Sequence, residues 1–177
     1  ISRAARQVDF PARFQLIAAM NPCPCGYLGA ASGRCHCTSE QVTRYRAKIS
    51  GPLLDRIDMH LEVPRVPHEV LRKGSPEGEE TSATIRARVI AARNLAISRA
   101  GKANALLSAK EVKQLCVLSD ASHHLLDQAM ERFGLSNRAY HRILKLARTI
   151  ADLAASPDIE IQHLSEAIGY RKLDRSH

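Results

Sequence analysis

The sequence has no tryptophan and only three phenylalanines and four tyrosines among its 177 residues. A core built from it must rest on Leu, Ile, Val and Ala. No run of about 18 apolar residues occurs, which argues against a membrane-spanning helix. The opening residues, Ile1-Ser2-Arg3-Ala4, include no initiator Met and no signal-peptide pattern, so the sequence reads as part of a longer, cytoplasmic protein. Two further absences bear on chemistry. There is no G-x-x-x-x-G-K-[ST] loop to cradle phosphates, and no apolar strand that ends in an acidic pair to hold magnesium.

What is present begins with charge. The net charge is +8, with basic residues spread along the chain. That balance suits a polyanionic partner such as nucleic acid, and equally a solvated surface in a larger, charge-balanced protein. Five cysteines occur, four of them between Cys23 and Cys37 in a C-x-C-x₉-C-x-C pattern. In a reducing compartment clustered thiols read as metal ligands. Four thiolates in tetrahedral array suit a structural Zn²⁺ and leave no open position for catalysis. The common ribbon spacing is C-x₂-C, so free thiols or a redox pair stay open as alternatives, and His36 is a substitute ligand. Cys116, among Val112, Leu115 and Leu118, reads as a core residue.

Periodicity and punctuation give the layout. Residues 13–20 are an apolar run expected as a first strand, followed over 21–38 by a Gly-, Pro- and Cys-rich loop. Ser39 is expected to cap a helix to about Ile49, broken by Ser50-Gly51-Pro52. Leu53–Ile57 is a single turn, and Met59–Val63 alternates as a second short strand. Residues 64–81 form a Pro-, Gly- and Glu-rich linker. Beyond it the pattern is helical. Helices are expected from Thr81 or Ser82 to about Arg99, with Ile85, Val89, Ala92 and Ala96 on one face, and from Ser108 to Leu118. Others should run from Ser119 to Gly134, from Ser136 to about Ser156, and over 162–170. Two strands do not make a sheet with a core of its own. The remaining strands are therefore expected upstream of Ile1.

The stretches FQLIAAMNPCPCG, CHCTSEQVTRYRAKISGPLLDRIDMHLEV and LSNRAYHRILKLARTIADLAASPDIEIQHLSEAIGYR resemble the C-terminal part of the ComM/YifB family, magnesium-chelatase-like AAA+ ATPases of bacteria. The resemblance covers nearly the whole sequence apart from the acidic loop near residues 74–80. It implies an α/β piece followed by an all-α piece. Residues 1–63 would be the C-terminal part of an αβα AAA+ core with two strands and a Cys-rich insert at 22–38. Residues 64–81 would be a linker, and 82–177 a helical lid bundle. It implies that the phosphate loop and the magnesium-holding acids lie upstream, so that this piece alone is inactive. For the whole protein it implies a ring, a hexamer, that uses ATP and Mg²⁺ to move DNA and promote branch migration in natural transformation.

The same resemblance assigns roles. Asn21 corresponds to sensor 1, whose amide positions the attacking water or a phosphate oxygen. The plainer reading of Asn21 is a turn cap before Pro22. Arg56, in Gly51-Pro52-Leu53-Leu54-Asp55-Arg56, corresponds to an arginine finger acting on a neighbour's γ-phosphate. Its plainer reading is local pairing with Asp55 or Asp58. Arg138 corresponds to sensor 2, with Arg142 one turn on able to share the role. Their plainer reading is a solvated face formed with His141, Lys145 and Arg148. Two other functions stay in view: a chelatase subunit inserting Mg²⁺ into a porphyrin, and a zinc-stabilised DNA-binding or adaptor domain. The Cys23, Cys25, Cys35 and Cys37 insert follows the ComM pattern and argues against the chelatase.

Overall fold

The computed structural model describes residues 2–3, 6–7, 14–30, 33–66, 68–73 and 78–171. The chain forms two compact units, residues 1–48 and 49–177.

In the first unit, regular extended structure is a pair of two-residue strands, β1 (Ser2–Arg3) and β2 (Arg6–Gln7), paired antiparallel. Residues 14–20, expected as a strand, have no strand partner among the described residues; residue 13 lies outside them. Phe14 is 76% exposed and Ile17 85%, so a segment apolar on both sides of its backbone lies uncovered. Such a pattern suits a strand buried on both faces, and it has no neighbour here to supply either. The loop that follows turns at Gly26, Gly29 and Gly33, all at positive φ. Helix α1 (Ser39–Arg46) is capped by Thr38 rather than by Ser39. The Thr38 hydroxyl accepts from the Gln41 N–H, and the Gln41 side chain accepts from the Thr38 N–H at 3.0 Å. This reciprocal pair satisfies two of the helix's orphan donors. The helix stops at Arg46, short of Ile49.

The second unit opens with α2 (Gly51–Leu54), which has Pro52 in its first turn, where a missing N–H costs nothing, and is anchored by buried Leu54. Met59–Val63 is not a strand. Its alternation is inverted: His60 is buried, and Val63 is 87% exposed. The His60 N–H donates to the Tyr170 carbonyl at 2.7 Å, tying this segment to the end of the chain's last helix. The stretch read as a linker contains a short helix, α3 (His68–Lys73).

The helical bundle follows the caps. Helix α4 (Ser82–Ala100) starts at Thr81 and ends at Gly101, whose φ of +68° is open to glycine at no steric cost. A 3₁₀ turn (Asn104–Leu106) leads to α5 (Ala109–Leu115), capped by the expected Ser108–Glu111 box. Then come α6 (Asp120–Phe133), α7 (Asn137–Leu153) and α8 (Ile161–Gly169). Helix α7 is the hub, packing against α4, the 3₁₀ turn, α5 and α8, while α6 also packs on α8. Val112, Cys116, Leu126, Ile143, Ala147, Ala151 and Leu164 fill the core. Each is buried, and burial of a Leu or Ile side chain contributes about 1.5–3 kcal/mol. Helix α4 buries Ala92 and Ala96 and packs Ala100 against that core; Ile85 and Val89, expected on the same face as Ala92 and Ala96, are exposed. No helix among the described residues is long and apolar enough to cross a membrane.

The bundle also holds a buried polar cluster. Asp152 accepts from Asn104 Nδ2 at 2.8 Å and from Arg148 Nε at 3.2 Å, and it pairs with Arg99. Arg148, read in the sequence as one of a solvated face, is buried. Its guanidinium donates to the Ser156 and Pro157 carbonyls at 2.7 and 2.8 Å, closing the C-terminal end of α7.

Candidate functional site

Two groups of side chains carry chemistry, one in each unit. In the first, the loop places the Cys23, Cys25, Cys35 and Cys37 sulfurs within 4.8 Å of one another. The Cys23–Cys25, Cys25–Cys35 and Cys23–Cys35 separations are 3.3, 3.6 and 3.8 Å. A tetrahedral zinc with Zn–S bonds of about 2.3 Å needs sulfurs about 3.8 Å apart, so the donor set fits that ion in number, chemistry and spacing. The cysteines are free thiols.

The local backbone explains the convergence. The Gly26 N–H closes a turn onto the Cys23 carbonyl at 3.0 Å, which folds Cys25 back toward Cys23. Arg46 Nε reaches back from α1 to the Pro22 carbonyl at 3.4 Å and fastens the loop to the helix. Burial raises the Cys23 thiol, but hydrogen bonds from the Cys25 thiol, the Leu28 backbone and the Cys35 and Cys37 thiols outweigh it and hold it down at about 6. At Cys37 a bond from the Cys25 backbone lowers the thiol. The Cys25 thiol, burial and Cys23 win, and push it up to about 12. The Cys23 thiolate is thus favoured at neutral pH, and a cation at the group would favour the Cys35 and Cys37 thiolates as well. Cys116 differs: burial pushes its thiol up to about 11, and it is an inert core residue.

Asn21 lies at the end of the exposed 14–20 segment, at the mouth of this loop, with its side chain exposed. Gly26, at φ +79°, leaves room beside it; a Cβ there would sit 3.6 Å from the Asn21 amide.

The second group centres on Asp55, Asp58 and the first two turns of α7. Asp55 follows α2 directly, and its backbone N–H bonds the Gly51 carbonyl at 2.9 Å. Its carboxylate accepts the Ser136 hydroxyl at 2.8 Å and pairs with Arg138 Nη1 at 3.3 Å and Arg171 Nη2 at 3.6 Å. Ser136 is also the α7 cap, accepting from the Ala139 N–H at 3.1 Å. One carboxylate therefore sits at the positive end of α7, where a negative charge is favoured. Asp58 pairs with Arg142, and buried Arg171 donates to the Ile57 carbonyl. Arg56 takes neither carboxylate. Its guanidinium folds back to the Pro52 carbonyl at 2.8 Å and is exposed.

The structure thus brings Arg56, Arg138 and Arg142 into one unit, with both acids on the bundle arginines. Asn21 belongs to the other unit. The sequence reading missed the Asp55–Ser136–Arg138–Arg171 group; the signal was there only in part, as a Ser-x-Arg at a helix start.

A helical bundle with Arg138 at the start of α7, the Arg56-bearing turn before it and the thiol-rich loop after Asn21 are ordered as in the magnesium-chelatase-like resemblance, and the comparisons show that class. Residues 1–71 match the family "Magnesium chelatase, subunit ChlI", and residues 79–171 match "Magnesium chelatase, subunit ChlI C-terminal". The chain is 47% identical to Competence protein ComM of Haemophilus influenzae, and 46% identical to YifB of Escherichia coli, an uncharacterized protein. Each match covers 99% of this chain and 34% of the relative. YifB of Salmonella typhimurium is 45% identical over the same span. The chain belongs to the ComM/YifB family and spans about a third of the length of these relatives.

Proposed function

We propose that this chain is the sensor and lid part of a ComM-type AAA+ ATPase, with residues 1–63 belonging to the αβα core, 64–81 a linker and 82–177 the lid. The observation that carries the reading is the Asp55 junction. It joins the turn bearing Arg56 to the helix bearing Arg138, so that two cations suited to phosphate sit on one body. In this reading Asn21 orients the attacking water, and Arg56 unfolds from Pro52 to reach a neighbouring subunit's γ-phosphate. Arg138, with Arg142, senses nucleotide and moves the lid. ATP with Mg²⁺, held by residues outside this chain, supplies the phosphoryl group.

The assembly is a cytoplasmic ring, a hexamer, acting on DNA as a branch-migration helicase in transformation and recombination. Family membership supports this, as do the basic balance and the name of the Haemophilus relative. A structural Zn²⁺ at Cys23, Cys25, Cys35 and Cys37 staples a loop too small for its own core; the sulfur spacing supports it. The exposed apolar side chains of residues 14–20 and 59–63 are surfaces that the rest of such a core would cover.

The test is made on the whole protein. Arg56→Ala should lower ATP turnover by about 10³-fold or more, the usual weight of an arginine finger, with nucleotide binding retained. Retained turnover in that variant would refute the assignment. Unwinding activity on branched DNA decides the helicase part separately.

A further inference from the structure

The Arg138 side of α7 closes a small cavity. In a helix, positions i, i+3, i+4 and i+7 share a face, and here that face carries Arg138, His141, Arg142 and Lys145. With Asp58 and Ala105 they line a cavity of about 210 Å³. The sequence alone suggested a solvated face, but these side chains are not simply in water. Three cations face the one acid of the lining, Asp58, while Asp55 holds Arg138 from outside the cavity lining.

Their donors are only partly used. Arg142 pairs with Asp58, yet its Nε and the Nδ1 of His141 are buried and have no hydrogen-bond partner among the described residues. The Arg142 Nε–H is a donor in every state and the His141 Nδ1 is one when it carries a proton; a buried donor without a partner costs free energy and marks a place for a ligand's acceptor. Lys145 Nζ gives one hydrogen to the Ala105 carbonyl at 3.1 Å and keeps two. Burial, then the Arg142 charge, hold its ammonium below the usual lysine range, so the cluster repels itself. A multivalent anion with several acceptor oxygens would relieve both defects at once.

We infer that the Arg138–His141–Arg142–Lys145 face of α7 is a phosphate-binding pocket, in which Lys145 and His141 are ligands beyond the two arginines and Asp58 is the carboxylate that the phosphate displaces. The inference deepens the nucleotide reading of Arg138 and Arg142 and rests on it only for the source of the phosphate. The cavity takes a phosphate group or pyrophosphate, with any nucleoside outside it. A nucleotide and a nucleic-acid backbone offer the same group, and the experiment separates them.

Inorganic pyrophosphate is titrated into the 177-residue chain by calorimetry at fixed salt. Saturable one-to-one binding is expected. Lys145→Ala should weaken it about tenfold or more, the weight of one charge-assisted bond, and Lys145→Arg should restore most of it. Asp58→Asn should tighten it severalfold, an effect in the opposite direction that damage to the fold cannot produce. Matched thermal unfolding of the variants checks their folding. Competition by ADP assigns the phosphate to a nucleotide. Competition by a thymidine oligonucleotide alone keeps the pocket, assigns it to nucleic acid and removes the nucleotide reading of Arg138 and Arg142. No saturable binding, or equal affinity in Lys145→Ala, overturns the pocket, while Arg56-dependent ATP turnover in the whole protein would then still stand.

Discussion

Asp55 and Arg138, 83 positions apart, meet at 3.3 Å, and the same carboxylate holds the hydroxyl that caps the arginine's helix. The turn before the bundle and the first turn of α7 therefore move as one piece. Asp55→Asn keeps the shape and removes the charge that Ser136, Arg138 and buried Arg171 share. Bonds to charged groups contribute about 1.5–3 kcal/mol, so denaturant unfolding should show a loss of about that size. In a double-mutant cycle with Ser136→Ala the two losses should not add, because they remove one junction. Simple additivity would mean that the two residues act separately.

The thiol cluster makes a prediction about composition. Purified from cells under reducing conditions, the protein should carry about one zinc per chain. Cys23→Ser with Cys35→Ser should release it and loosen residues 21–38, seen as faster amide exchange there, while the bundle stays protected. Metal-free protein with that loop fully protected would rule the centre out.

How much of this was legible in the sequence depends on range. The caps at Ser108 and Ser119 and the stop at Gly134 occur as read, and the helix starts read at Thr81 or Ser82 and at Ser136 resolve to caps at Thr81 and Ser136, because each is decided within four residues. The cap at Thr38 was misplaced by one, since Ser39 offers the same chemistry and only the Gln41 partner discriminates. The two strands were read from patterns that a sheet would satisfy, but the sheet needs partners, and the described residues provide none. At residues 59–63 the backbone bond from His60 to Tyr170 decides the facing instead, burying His60 and exposing Val63. The thiol cluster was legible from spacing. The acid partners of Arg138 and Arg142 were not, since helical periodicity tells which residues share a face and not which loop lies across it. Asp55 and Asp58 looked like neighbours of Arg56 and prove to belong to α7.

The buried Asp152 cluster is the same lesson in the core. Arg99, Asn104 and Arg148 come from α4, the 3₁₀ turn and α7 to one carboxylate. Asp152→Ala leaves two guanidinium groups without their anion, and breaking a buried pair this way costs about 3–5 kcal/mol. Chemical denaturation should show a loss of that order. Arg99→Met alone should cost less, because Arg148 and Asn104 still satisfy the carboxylate. Equal losses for the two variants would show that the Arg99 contact, not the cluster, carries the stability.

The Glu111 cap adds a pH dependence whose sign is fixed by its neighbours. Lys102 pairs with Glu111 at 2.7 Å, and the Ser108 hydroxyl and N–H donate to it at 2.6 and 2.7 Å. The Lys102 bond first, then the two from Ser108, bring its carboxyl down from 4.5 to about 2. A carboxylate bound more tightly in the folded state stabilises that state whenever both forms are ionised, above about pH 4.5. As the pH falls, the unfolded chain takes up the proton first, and the contribution is gone once the folded carboxyl also protonates near 2. Glu111→Gln removes the titrating group, so the stability difference between wild type and variant should be constant above pH 5 and shrink between 4.5 and 2. A difference independent of pH across that window would show that Glu111 works through its amide-like shape in the box and not through its charge.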